Sequence, residues 1–229
     1  MSEMHDSSSP VPGGAELART IDHTLLKPTA TAADIRTLCE EALTHGFAAV
    51  CVNPIWIPLV AKLLEGSEVA ACSVAGFPLG ANLTEVKTVE AIRALDDGAR
   101  EIDMVIAVGA LKERRDDDVR EDIAAVVRAC QAGEAQCKVI LETCYLTGEE
   151  KARACRLAIE AEANFVKTST GFGSGGATLE DVRLMAAEVR EAGLGVKASG
   201  GIRTREDALA MLEAGATRIG TSSGIAIVT

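Results

Sequence analysis

The chain has 229 residues, of which 48% are hydrophobic, enough to bury the core of one large domain. It carries 23 basic and 34 acidic residues, and this net charge of −11 argues against nucleic acid or an anionic membrane surface as a partner. Residues 1–14 are polar and contain clusters of Ser, Pro and Gly. We therefore expect a disordered N-terminal tail, followed by a single folded domain over residues 15–229.

The cysteines and histidines are scattered along the chain. There are seven cysteines, an odd number without a Cys-x-x-Cys pair, and most lie in apolar stretches. This pattern is typical of free thiols in a reducing compartment, so we predict a cytoplasmic protein without disulfides. The longest apolar stretch contains two prolines, which argues against a membrane span. Only three histidines occur, none near another, which argues against a zinc site.

Short apolar runs recur along the chain, with helical patterns between them. The eight predicted strands cover residues 20–25, 48–52, 69–75, 101–108, 138–141, 164–168, 195–198 and 217–221. Thr31, Thr147 and Thr178 each precede an acidic residue by three positions, which is typical of the first turn of a helix. Eight strands alternating with helices predict a single-domain α/β fold, the (β/α)8 TIM barrel. An open doubly wound sheet is the alternative.

Two lysines stand at the ends of predicted strands. Lys167 ends the sixth strand and Lys197 lies in the seventh, about one strand-helix-strand unit later. We therefore expect both ammonium groups to point into one site. Two like charges at close range disfavour each other's protonated form, and a neutral lysine amine is a nucleophile. The pair predicts carbonyl chemistry through a Schiff base.

Strand alternation adds an acidic residue to this site. If Ile102 and Met104 face the helices, Asp103 between them faces the barrel interior. The same alternation turns Lys167 and Lys197 inward. A barrel interior accepts such charges only when they are paired or functional, so we predict that these three groups are catalytic.

Glycine turns follow the last three strands. Gly200 and Gly201 follow the seventh strand, and Ser222 and Ser223 follow the eighth. In TIM barrels these two loops commonly hold a phosphate group, although ordinary tight turns use the same residue types. The segment 171–176 matches G-x-G-x-x-G, but no ribose-binding carboxylate ends the next strand. We expect this segment to contact phosphate or cover the substrate.

Six motifs together resemble a known family. They are IDHTLLKP (21–28), CVNP (51–54), GFPLG (76–80), EIDMV (101–105), FVKTSTGF (165–172) and KASGGIR (197–203). Their types and order resemble deoxyribose-phosphate aldolase, from about residue 16 to the end of the chain. Within them, His23 and Cys51 are left without an assigned role, because either is as readily a packing residue.

The resemblance implies a class I aldolase that needs no metal or other cofactor. It would cleave 2-deoxy-D-ribose 5-phosphate reversibly into D-glyceraldehyde 3-phosphate and acetaldehyde. Lys167 matches the Schiff-base lysine of the family, and Lys197 and Asp103 match its proton-relay pair. The positions that match its phosphate site are Gly171, Gly200, Gly201, Ser222 and Ser223.

Two other functions remain open from the sequence. One is another Schiff-base barrel acting on sugar phosphates, similar to a transaldolase, and the other is a barrel that binds a sugar phosphate without catalysis. In each case the partner is a small sugar phosphate, and neither nucleic acid nor a membrane is expected. We also expect a homo-oligomer, with a dimer as the first choice.

Overall fold

The computed structural model describes residues 13–229. The expectation of a disordered tail falls mainly on residues 1–12, which lie outside the described residues. Gly14, which was placed in the tail, begins a short helix, α1 (Gly14–Ala18). Leu17 and Ala18 of this helix are buried, so the folded part of the chain begins at about the expected boundary.

Eight parallel strands close into a barrel in chain order, and the last strand pairs with the first. They are β1 (Ile21–Leu25), β2 (Ala49–Val52), β3 (Ala70–Ala75), β4 (Glu101–Val105), β5 (Gln136–Ile140), β6 (Phe165–Lys167), β7 (Gly195–Ser199) and β8 (Arg218–Thr221). The predicted TIM barrel is confirmed, and the open doubly wound sheet is wrong because closure leaves no sheet edge.

Helices surround the barrel. After α1 they are α2 (Ala32–His45), α3 (Ile57–Leu63), α4 (Thr84–Asp96), α5 (Val108–Lys112), α6 (Asp116–Ala132), α7 (Gly148–Glu160), α8 (Leu179–Val189), α9 (Arg205–Glu213) and α10 (Gly224–Val228). Short 3-10 turns occur at Pro54–Trp56 and Thr143–Tyr145. The caps at Thr31, Thr147 and Thr178 are confirmed, because each hydroxyl accepts a hydrogen bond from the backbone amide three residues on.

The strand boundaries agree with the expectation to within two residues except at β4. The apolar run suggested a strand to Val108, whereas β4 ends at Val105 and Val108 begins α5. The Val108 amide donates to the Ile106 carbonyl at 3.0 Å, which turns the chain out of the sheet. β-branched residues suit a strand, so the run alone did not indicate this turn.

The barrel interior has an apolar side and an ionic side. Ile102 and Met104 belong to the main core between strands and helices, as alternation predicted. A separate small apolar cluster includes Cys51, Cys72 and Val74 on β2 and β3. Much of the remaining interior is occupied by charged side chains, where most TIM barrels hold branched aliphatic residues. The functional site therefore extends into the barrel itself.

A buried ion pair fixes the helices beside β4. The Lys87 Nζ of α4 lies 2.6 Å from Asp122 of α6 and donates to the Val105 carbonyl at 2.9 Å. The Asp122 carboxylate also accepts from the Thr84 hydroxyl at 2.9 Å. These contacts hold α4 and α6 against the end of β4, the strand that carries Asp103.

The helices of residues 13–229 are too short or too polar to span a bilayer. None of these helices combines the length and the apolar character needed to cross a membrane.

Candidate active site

Asp103 is the centre of the buried site. Its Oδ2 lies 2.7 Å from the Lys167 Nζ and 2.7 Å from the Lys197 Nζ. The three residues come from β4, β6 and β7, and all are almost fully buried. Strand alternation predicted that these side chains would meet. Their sharing of one carboxylate oxygen could not be read from the sequence.

A third lysine binds the other oxygen of this carboxylate. The Lys138 Nζ lies 2.9 Å from the Asp103 Oδ1, and it also contacts Glu101 at 2.5 Å and Asp22 at 3.6 Å. The sequence analysis missed Lys138 as a member of the site. The available signal was a lysine flanked by buried apolar residues at the inward-facing parity of β5.

The ionic network continues to the opposite end of the barrel. Asp22 of β1 contacts the Lys197 Nζ at 2.5 Å through Oδ2 and the Arg218 Nη1 at 2.6 Å through Oδ1. The same Arg218 nitrogen lies 3.2 Å from Glu101. A chain of alternating charges therefore links Arg218, near the amino ends of the strands, to Lys167 near their carboxyl ends.

The neighbours of each group determine its protonation. Burial alone would raise the pKa of Asp103, but attraction to Lys138, Lys167 and Lys197 outweighs it and holds this pKa well below the usual range. Burial would lower the pKa of Lys197, yet Asp103 and Asp22 raise it above its ordinary value. Proximity of the two lysines therefore does not neutralise Lys197, which remains a cation at neutral pH.

Lys138 has a raised pKa for a similar reason. Burial lowers its pKa, and attraction to Asp103, Cys72, Glu101 and Asp22 more than compensates. In Asp22, burial raises the pKa, but the nearby cations Lys197, Lys138 and Arg218 lower it below the ordinary value. Lys138 and Asp22 are therefore both charged at neutral pH.

Two thiols border this network. The Cys72 Sγ lies 3.3 Å from the Asp103 Oδ1, and burial raises the pKa of this thiol well above its usual value. A hydrogen bond with Cys72 lowers the pKa of Cys51. His23 has a different position: its Nε2 contacts Glu41 at 2.7 Å and its ring packs on Phe47 in the helix layer. Cys51 thus borders the site, whereas His23 does not.

A cavity of about 400 Å³ lies above Lys167. Its walls include four of the five predicted phosphate positions, which are Gly171, Gly200, Gly201 and Ser222. Ser223 is not in the wall, and its backbone amide donates to the Thr221 hydroxyl at 2.9 Å. Two exposed cations at the mouth, Lys27 and Arg203, were not singled out in the sequence.

The glycine-rich segment after β6 packs on the loop after β7. A Cβ at Gly176 would lie 2.3 Å from the Gly200 carbonyl oxygen, and Gly200 has a φ of +92°. The Ala177 amide donates to the carbonyls of Ser199 and Gly200 at 3.1 and 3.0 Å. This close approach of two backbones explains why glycine occupies both positions.

A buried carboxylate holds the start of the same loop. Glu142 follows β5 and accepts hydrogen bonds from both the amide and the hydroxyl of Thr170. The Thr170 hydroxyl in turn accepts from the Phe172 amide at 3.0 Å. The Phe172 ring meets the Phe77 ring edge-on, with centroids 5.4 Å apart. An aromatic pair thus borders the cavity mouth.

A family model matches the sequence of almost the whole chain. The model of the DeoC/LacD family of aldolases matches residues 17–229. This match covers nearly the whole chain, so the chain belongs to this family and is an aldolase.

Individual relatives are deoxyribose-phosphate aldolases. The protein of Geobacillus sp. (strain WCH70) is 58% identical over 212 residues, covering 93% of this chain and 94% of that protein. The protein of Bacillus subtilis (strain 168) is 59% identical over 212 residues with the same coverage. A solved structure, the tetrameric deoxyribose phosphate aldolase of Aeropyrum pernix, has a TM-score of 0.89 and 37% identity, covering 94% of this chain and 91% of that one.

Proposed function

We propose that this aldolase cleaves 2-deoxy-D-ribose 5-phosphate reversibly into D-glyceraldehyde 3-phosphate and acetaldehyde. The observation that carries the proposal is the position of Lys167, a buried amine beside a shared carboxylate, at the floor of a cavity walled by glycine loops. The relatives that bear the name deoxyribose-phosphate aldolase support the same substrate.

In the proposed mechanism, Lys167 acts as the nucleophile. Its neutral amine attacks the C1 aldehyde of the open-chain sugar, and loss of water with uptake of one proton gives a protonated imine; the final hydrolysis releases this proton again. This imine withdraws electrons from the adjacent carbon. When the C3 hydroxyl loses its proton, the bond between C2 and C3 breaks, releasing D-glyceraldehyde 3-phosphate and leaving an enamine on Lys167.

Lys197 and Asp103 act as the relay. The Asp103 carboxylate takes the proton from the C3 hydroxyl, and it passes this proton to Lys197 across their hydrogen bond of 2.7 Å as the Lys197 ammonium gives up its own. The Lys197 ammonium then protonates C2 of the enamine. Water hydrolyses the resulting imine, which releases acetaldehyde and restores the Lys167 amine.

The phosphate group is proposed to bind at the cavity mouth. Gly171, Gly200 and Gly201 have φ angles of +84°, +92° and +85°, which turn the backbone in ways that suit a small anion. Ser222 offers a hydroxyl, and Lys27 and Arg203 add positive charge that opposes the net charge of −11. Ser223 remains a weaker candidate because its amide is already bonded to Thr221.

Borohydride trapping tests the nucleophile. Treatment with acetaldehyde and borohydride should add a two-carbon group to Lys167, located by peptide mass mapping. Lys167→Ala should lose this label and the release of acetaldehyde from the sugar phosphate in a coupled assay. Lys27→Ala, which removes an exposed lysine from the same cavity, is the matched control and should keep the label. A label on Lys197 would reverse the assignment of the two lysines.

Several further expectations belong to this proposal. A transaldolase-like enzyme would transfer a carbon unit from a ketose phosphate, so the same coupled assay with both substrates separates the two activities.

Independence from metal, a cytoplasmic location and a homodimer also stay predictions. The Aeropyrum pernix relative is described as a tetramer, so the oligomeric state should be measured directly by light scattering.

A further inference from the structure

The ionic network in the barrel contains more cations than carboxylates. Among residues 13–229, the linked cations are Lys138, Lys167, Lys197 and Arg218, and the linked carboxylates are Asp22, Glu101 and Asp103. Four cations face three carboxylates, and six of the seven side chains are no more than 7% exposed, while Arg218 is 14% exposed. If every group were ionised, one positive charge would have no counterion, which is costly in a desolvated site.

Three of the four cations are firmly held in the charged form. Arg218 contacts Asp22 and Glu101, and its guanidinium does not lose a proton in proteins. Lys138 is surrounded by three carboxylates, and Lys197 bridges two. These contacts favour the ammonium form of both lysines.

Lys167 has the fewest contacts that favour its ammonium form. Its Nζ forms an ion pair with Asp103 alone among the described residues, through the oxygen that Lys197 also binds. Lys138 occupies the other oxygen of the same carboxylate. Asp103 therefore divides one negative charge among three lysines, two of which have additional partners.

We propose that the excess of one cation over the carboxylates of this network keeps Lys167 a free amine. Lys138 is then a positioning residue, because the excess depends on its charge. The inference rests on the proposed function, because it concerns the nucleophile of that reaction. Lys138 acts through Asp103 and does not touch the substrate cavity. Removing its charge should leave three cations for three carboxylates, and Lys167 should then complete the balance as an ammonium.

Other ionisable groups near Lys167 do not alter this count. Cys72 and Cys51 face it from β3 and β2, and burial keeps the Cys72 thiol protonated. Glu142 has both oxygens bonded to Thr170 and makes no ion pair among residues 13–229. Lys27 and Arg203 are exposed to solvent at the cavity mouth. Among residues 13–229, Cys51 is a second group whose proton loss could balance the extra positive charge, because its pKa is lowered by the hydrogen bond with Cys72.

The test is the pH midpoint of borohydride-trapped imine, measured on folded protein with acetaldehyde. Lys138→Met should raise this midpoint by about one pH unit, because a nearby positive charge is lost. Glu101→Gln adds to the surplus and should lower the midpoint. The double variant Lys138→Met/Glu101→Gln again has one more cation than carboxylates, so its pH midpoint should lie close to that of wild type.

The design keeps the test decisive if one variant is unstable. Lys138→Met leaves three buried carboxylates without one of their cations. Glu101→Gln removes no cation, and the double variant removes one of those three carboxylates together with the lysine. A general loss of structure cannot shift the midpoint in opposite directions for the two single variants. Lys87→Met is the matched control, since it removes a fully buried lysine paired with Asp122 outside the barrel, and its midpoint should equal wild type.

Two results would overturn the inference. One is a common midpoint for wild type, Glu101→Gln and the double variant. The other is a lowered midpoint in Cys51→Ala, since this would mean that a Cys51 thiolate had balanced the surplus and Lys167 had been an ammonium. Absence of any trapped imine at Lys167 in wild type, at every pH, would instead refute the proposed function itself.

Discussion

At the scale of residues, Asp103 connects the chemistry to the charge balance. Three lysines contact its carboxylate, and each lysine lies within 2.9 Å. The sequence predicted its inward direction and its proximity to Lys167 and Lys197 through strand alternation. The participation of Lys138 was missed, because a single lysine at the first position of the expected strand 138–141 is more often exposed to solvent.

The first prediction concerns the charge and the proton of Lys197. Lys197→Arg keeps a positive charge beside Asp22 and Asp103 but cannot exchange a proton near neutral pH. We expect imine formation at a near wild-type pH midpoint together with a fall of at least about a hundredfold in kcat. Trapping and steady-state kinetics on the same preparation measure both quantities.

The companion variant Lys197→Leu removes charge and proton together. It leaves two buried carboxylates without one of their partners, which should lower the free energy of unfolding by about 3–5 kcal/mol. The pH midpoint of its imine formation should be higher than that of Lys197→Arg, because the neighbouring positive charge is gone. An identical midpoint for wild type and both variants would show that Lys197 does not influence the protonation of Lys167.

At the scale of elements, the packing of β8 against β7 positions Lys197. Gly220 of β8 faces the interior, and a Cβ there would lie 2.3 Å from the Ser199 Oγ and 2.9 Å from the Lys197 Cε. The strands themselves could be predicted because each is a short apolar run, whereas this contact depends on the stagger between two strands. No pattern within one strand carries that information.

The second prediction follows from this contact. Gly220→Ala should displace Lys197 and Ser199, lowering kcat by about tenfold or more through loss of the relay geometry. Overpacking should reduce the free energy of unfolding by about 1–3 kcal/mol. Gly109→Ala is the control, since a Cβ at Gly109 of α5 meets no atom within 4 Å, and its kcat should match wild type. Unchanged kcat in Gly220→Ala would mean that the position of Lys197 is not critical.

The third prediction concerns the loop after β8. Ser222 lies in the cavity wall, so Ser222→Asp would place a carboxylate beside the proposed phosphate position. The KM for 2-deoxy-D-ribose 5-phosphate should rise, while the kinetics with unphosphorylated deoxyribose should change much less. Ser223→Asp provides a comparison outside the cavity wall. Equal losses on both sugars would place the phosphate elsewhere.

At the scale of the whole molecule, the ionic network is also a structural element of the barrel. It occupies space where other TIM barrels pack aliphatic side chains, while β2 and β3 supply the apolar part of the interior. The fold class was predictable from the alternation of strands and helices. The division of the interior into ionic and apolar sides required the closed barrel, because its members come from eight separate strands.

This arrangement predicts how stability depends on pH. The folded state lowers the pKa of Asp103 and Asp22, whereas the unfolded chain binds protons at these carboxylates near pH 3.9. As the pH falls through about 4, the unfolded state takes up more protons than the native state, so the free energy of unfolding decreases. Lys197 has a raised pKa, so its contribution is complete below about pH 10.4 and is lost above it.

We therefore expect a plateau in the free energy of unfolding between about pH 5 and 10, with losses on both sides. Urea unfolding monitored by circular dichroism across this range provides the measurement. Asp103→Asn should be less stable on the plateau and should lose less stability between pH 5 and 3, because one carboxylate with a lowered pKa is gone. Asp118→Asn, which affects an exposed ion pair with Arg115, should keep the wild-type profile. If the free energy of unfolding of Asp103→Asn falls between pH 5 and 3 as steeply as that of wild type, Asp103 gains no stabilisation from its three lysines in the folded state.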